Sequence, residues 1–204
     1  MTSVICAAFV AMCAFYLAFQ RVKHRGKLRL EIALKCAATG MAVLVALLGC
    51  LKSGTTAHWL VLAGLAACAI ADGVLCVRFI AGGAIFALAH ALYMVAFCMM
   101  RAPDWRSAAI FLGLMGLAAA ALMRFKPSLG RYAPLALAYA AVLSLMVALA
   151  AAQRPLFLAG ALLFALSDAL LGYLLAKHGP AWMDYLSLGA YYLGQFLLGL
   201  AICV

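Results

Sequence analysis

Eight apolar runs, each close to twenty residues long, follow one another with only short polar separators between them. They fall near residues 3–19, 32–51, 58–78, 80–100, 107–123, 134–152, 155–176 and 183–203. A helix rises about 1.5 Å per residue, so about 20 residues cross the hydrocarbon core of a bilayer. Eight crossings therefore take up about 160 residues of this chain. No separator is long enough for a soluble catalytic domain. Hydrocarbon satisfies the backbone only in helices or closed barrels, and the alternating pattern of a barrel strand is absent. The expectation is an all-α polytopic membrane protein with about eight transmembrane helices, forming one transmembrane domain over residues 1–204. Its hydrophobic share of 71% and charged share of 10% are far from those of a soluble domain.

The net charge of +10 resembles that of a nucleic-acid binder, but the bases stand in separators rather than over a soluble face, so no nucleic-acid partner is expected. Counted by loop parity, Arg21, Lys23, Arg25, Lys27, Arg29, Lys35, Arg78, Arg124, Lys126, Arg131 and Lys177 fall at one end of the bundle. Lys52, Arg101, Arg106 and Arg154 fall at the other. Cytoplasmic loops collect Lys and Arg, which predicts that both termini are extracytoplasmic in an inner or plasma membrane. Met1-Thr2-Ser3 carries no basic leader, so the first run is expected to remain as a helix. The eight cysteines lie in or beside apolar runs without a C-x-x-C pair, as expected of packed thiols rather than a disulfide framework.

Polar chemistry concentrates in helices three, four, seven and eight, whereas helices five and six, with Ser144 and Tyr139, read as scaffold. The chain has only five acids, and two of them, Asp72 and Asp168, stand inside apolar runs. A carboxylate in hydrocarbon costs about 2.5–3.5 kcal/mol on insertion scales, so each needs a compensating reason. Asp72 lies about 9 Å along the helix from Arg78, and Asp168 about 13 Å from Lys177, which predicts similar depth near the base-rich end. Gly64–Leu75 aligns with Gly160–Leu171 at an offset of 96, matching at four of twelve positions, the aspartates among them. That offset points to a possible parallel 4+4 internal repeat.

His90 and Tyr93 share a face, as do Tyr192 and Gln195, with Tyr191 on an adjoining one. Cys68, Asp72 and Cys76 line another, and His90 would complete a zinc set there; packed thiols account for them more simply, and no metal is expected. Glu31, Asp104, Asp184, His24, His58 and His178 fall at helix ends or in loops and read as solvated groups.

Four segments resemble those of the YhhN family of integral-membrane lysoplasmalogenases. They are Ala71-Asp72-Gly73-Val74-Leu75, Ala89-His90-Ala91-Leu92-Tyr93, Leu166-Ser167-Asp168-Ala169-Leu170-Leu171 and Tyr191-Tyr192-Leu193-Gly194-Gln195. Lys35 and the pair Tyr139 and Met146 also match, while Ala71 replaces the usual Gly and Cys36 a frequent Pro. The resemblance runs from about Glu31 onward. It implies hydrolysis of the vinyl ether of a lysophospholipid substrate, giving a fatty aldehyde and a glycerophospho-choline or -ethanolamine. It brings no cofactor.

The residues suit that chemistry. A vinyl ether must be protonated at carbon before water captures the resulting oxocarbenium ion, which asks for one carboxylic acid and one carboxylate. Asp72, Asp168 and His90 are the catalytic candidates, with either aspartate able to be the acid. Lys35, Arg78, Tyr93, Ser167, Tyr191, Tyr192 and Gln195 are the substrate-binding candidates, Lys35 and Arg78 for the phosphate at the rim and the rest among the membrane lipid and acyl chain. A proton-coupled transporter or channel is the competing reading, since paired membrane carboxylates also mark ion pathways.

Overall fold

The computed structural model describes residues 1–23, 25–177 and 179–204. His24 and His178 lie outside the described residues, as does the side chain of Lys126. Every regular element among those described is helical: α1 (Thr2–Val22), α2 (Leu28–Ser53), α3 (Thr56–Leu75), α4 (Phe79–Met100), α5 (Trp105–Leu129), α6 (Ala133–Ala150), α7 (Pro155–Lys177) and α8 (Ala181–Leu200). Seven are long and apolar enough to cross a membrane, which makes the chain a multi-pass membrane protein.

The eighth apolar run forms a helix but falls short of that standard. Asp184, three tyrosines and Gln195 dilute it, and the structure places much of that polar matter inside the bundle. Several boundaries also moved, three of them at loops that carry bases. Helix α2 starts four residues before the predicted Ile32, α3 stops at Leu75 rather than Arg78, and α5 runs through Arg124 to Leu129.

Local chemistry sets several ends. The Thr55 hydroxyl accepts the His58 N–H while the His58 ring accepts the Thr55 N–H, a reciprocal cap for α3. Asp104 accepts the N–H groups of Arg106 and Ser107 at the start of α5. Gly26 turns the α1–α2 loop at φ 70°, a left-handed conformation that glycine adopts without steric cost.

Consecutive helices pair as hairpins except α4 and α5, with α3–α4 and α7–α8 the most extensive pairs. Between the two four-helix halves the main seams are α2 with α8 and α4 with α6. Helix α8 comes close to both neighbours because glycines face them. A Cβ at Gly194 would lie 2.9 Å from the Gly160 carbonyl oxygen, and one at Gly199 would lie 2.7 Å from that of Ala42. Small residues at such crossings let backbones pack where no hydrophobic force separates helix from lipid. Helix α5 lies at the margin, with most of its surface exposed.

Candidate active site

Asp72 stands in the last turn of α3, three residues from its end, and is 1% exposed. Three side chains from two other helices converge on it. Thr39 of α2 donates to Oδ2 at 2.5 Å, and the Tyr191 hydroxyl of α8 donates to the same oxygen at 2.8 Å. Lys35, one helical turn before Thr39, brings Nζ to 3.5 Å from Oδ1. Lys35 is itself buried, with its ammonium over the Phe19 ring at 5.8 Å. Two donors and a counter-ion meet what a buried carboxylate needs.

Lys35 therefore turns inward, away from the rim position expected for a headgroup contact. Its place seven residues into α2 lets the stem lie along apolar surface while the ammonium reaches Asp72. Arg78 does sit exposed at the α3–α4 turn.

Asp168, on α7, is half-buried and takes one hydrogen bond, from the Tyr139 hydroxyl of α6 at 2.7 Å. It forms no ion pair among the described residues. Helix α6 is thus more than scaffold: Tyr139, which also matches the family pattern, is Asp168's partner. Asp72 and Asp168 are near enough for their charges to interact.

His90 lies between the two carboxyl groups' surroundings. Its ring packs edge-on against Tyr139 at 5.9 Å between centroids and against Phe164 at 4.5 Å. Phe164 in turn packs on Tyr191, Asp72's partner, at 5.4 Å. His90 Nδ1 lies 2.5 Å from the Phe86 carbonyl oxygen. A carbonyl only accepts, so the proton is on Nδ1, and Nε2 of the neutral ring presents a lone pair. That nitrogen is fully buried with no partner.

A second group adjoins. The Tyr93 hydroxyl donates to Gln195 Oε1 at 3.1 Å and lies 3.6 Å from Cys68 Sγ. Gln195 Nε2 and the Tyr192 hydroxyl are, like His90 Nε2, buried without a partner. Unsatisfied buried polar atoms clustered beside two carboxyl groups mark a place built for something else to occupy. Ser167 is used differently: Ser187 Oγ donates to its carbonyl at 2.9 Å, which ties α7 to α8.

Other expectations resolve simply. The face of Cys68, Asp72 and Cys76 does not assemble with His90; Cys76 donates to the Asp72 carbonyl, and no group of three His, Cys, Asp or Glu side chains converges among the described residues. Asp184 is not a merely solvated charge, since Lys23 Nζ lies 2.7 and 2.6 Å from its two oxygens and joins α1 to α8.

No curated protein and no solved structure gives a significant match to the chain. The motifs that carry the two carboxylates, the histidine and the tyrosine pair lie within residues 30–202, and over that span the chain matches the YhhN family, to which it belongs and which includes lysoplasmalogenases.

Proposed function

We propose that the protein is a lysoplasmalogenase, which cleaves the vinyl ether of an alkenyl-glycerophosphocholine or -ethanolamine to a fatty aldehyde and a glycerophospho-base. The observation that carries this reading is the unequal environment of two neighbouring carboxyl groups, one ion-paired and one without an ion pair among the described residues, with the His90 ring packed against Tyr139, the partner of the second. Oxocarbenium chemistry needs that inequality: one group gives a proton, the other stays anionic.

In this mechanism Asp168 is the acid. It protonates the alkene carbon remote from oxygen, and the positive charge that develops on the ether-bearing carbon is stabilised by Asp72, the carboxyl group that faces Lys35 at 3.5 Å. Water then adds to that carbon. His90 Nε2 takes the water's proton, because it is the ring's acceptor. The hemiacetal collapses to aldehyde and a free glycerol hydroxyl, and the proton on His90 returns to the carboxylate left at Asp168. Tyr93, Tyr191, Tyr192, Gln195 and Ser167 shape the space around the ether, and Arg78 meets the phosphate at the rim. We place the base-rich end, and hence substrate access, on the cytoplasmic face, with both termini extracytoplasmic in a single transmembrane domain.

The test is aldehyde release by purified protein supplied with an alkenyl-lysophospholipid. Product formation supports the reading. No aldehyde, together with proton movement in proteoliposomes, would favour the transporter reading.

A further inference from the structure

A cavity of about 520 Å³ opens at the other end of the bundle, far from the carboxylates. Its wall comes from three places: Thr55, Thr56, Ala57 and His58 at the start of α3, Met99 and Met100 at the end of α4, and Gln153, Arg154 and Phe157 at the α6–α7 turn. His58 precedes Asp72 by fourteen residues on one helix, about 21 Å of axial rise. Nothing in the proposed reaction uses this space.

The polar lining is rich in donors and short of acceptors. Arg154 is exposed, and its guanidinium makes no hydrogen bond or ion pair among the described residues. It lies near enough to His58 for their charges to interact. His58 Nδ1 accepts the Thr55 N–H at 3.3 Å, so the neutral ring carries its proton on Nε2 and has a donor left over. Of the other polar groups, Gln153 Nε2 donates to the carbonyls of Phe97 and Leu149, and the Thr55 hydroxyl accepts from His58. No acid lines the cavity, and Asp104 is committed to the start of α5. The rest of the wall is apolar and includes Ala57, Met99, Met100 and Phe157.

We propose that the cavity is a second lipid site, holding the phosphate of a phospholipid headgroup on Arg154 and His58 with its glycerol and first methylenes against Met99, Met100 and Phe157. A guanidinium is suited to this because its planar fork binds phosphate oxygens in pairs. The volume falls within the roughly 300–1,000 Å³ of small-molecule sites. The site is independent of the hydrolytic one.

The test uses full-length protein purified in a neutral detergent, with binding of dioctanoyl-phosphatidylglycerol followed by native mass spectrometry and titration calorimetry. The wild type binds the lipid, and Arg154→Gln weakens binding about tenfold, as expected for loss of a charge-assisted contact. Arg106→Gln, at the same end but outside the cavity, leaves affinity unchanged and controls for general attraction to anionic lipid. Displacement of the lipid by inorganic phosphate assigns recognition to the phosphate alone, whereas binding of the lipid without such displacement assigns it to the whole headgroup; either supports the site. Equal affinity in wild type and Arg154→Gln, or equal weakening by Arg106→Gln, overturns it. Asp72→Asn keeps wild-type lipid affinity, so failure of the hydrolytic reading and failure of this one are distinguishable.

Discussion

Asp72 and Asp168 stand at the same place in two stretches of similar sequence, yet their surroundings differ in kind. Helix α2 gives Asp72 a lysine and a threonine, and α8 adds a tyrosine, so the group is enclosed and compensated. Helix α6 gives Asp168 one tyrosine and leaves it half-buried, with no ion pair among the described residues. Between the halves, α2 meets α8 and α4 meets α6. At the offset of 96, Thr39 corresponds to Leu135, so the polar partner is missing from the second half. Similar scaffolds with unequal polar partners can separate the roles of two chemically identical groups. In the proposed reaction the carboxyl that faces Lys35 is the anion and the other is the proton donor.

The sharpest way to break this comparison is to neutralise each aspartate in turn. Asp168→Asn removes the proton source and should cut aldehyde release by about 10²–10⁴-fold while folded yield stays near wild type. Asp72→Asn should cost as much activity and also yield, because Lys35 is left as a buried, unpaired cation. Breaking such a pair typically costs about 3–5 kcal/mol. Lys35→Met combined with Asp72→Asn should restore the yield but not the activity. If both single variants lose yield equally, the two environments are equivalent and the division of labour fails.

His90→Gln comes next, with a loss of about 10²-fold in kcat and little change in KM. A loss equal to that of Asp168→Asn would instead make the histidine a proton donor. Tyr139→Phe removes the one hydrogen bond to Asp168 and should slow turnover by roughly tenfold or less, with no loss in yield.

The smallest effect lies outside the membrane. The N–H of Ser107, with that of Arg106, holds the Asp104 carboxyl below its usual 3.8. A depressed value means the cap's contribution is complete above about pH 4 and declines as pH falls through the lowered value. The melting-temperature difference between wild type and Asp104→Ala should therefore be constant from neutral pH to about pH 5 and narrow below that.

Much of this arrangement is legible in the sequence because the bilayer imposes a length on each helix and makes any internal charge conspicuous. Asp72, Asp168 and His90 stand out against apolar surroundings for that reason. Their partners do not. Thr39 is one hydroxyl in a small-residue stretch, and Tyr139 is one aromatic in an apolar run; nothing in a helical period says which neighbour either will meet across a seam. Lys35 shows the same gap from the other side. Loop parity treats a lysine near a helix start as a topological charge, whereas the fold turns it inward to the carboxylate it accompanies.

Helix α8 has a consequence for how the molecule is made. A segment carrying Asp184, Gln195 and a tyrosine pair has a weak individual drive to leave water for lipid. The groups that offset this belong to other helices: Lys23 for Asp184, Asp72 for Tyr191 and Tyr93 for Gln195. All of them are synthesised before α8. Its partition into the bilayer is therefore conditional on helices already there, and damage to α1, α3 or α4 should appear first as a failure of the last helix to integrate.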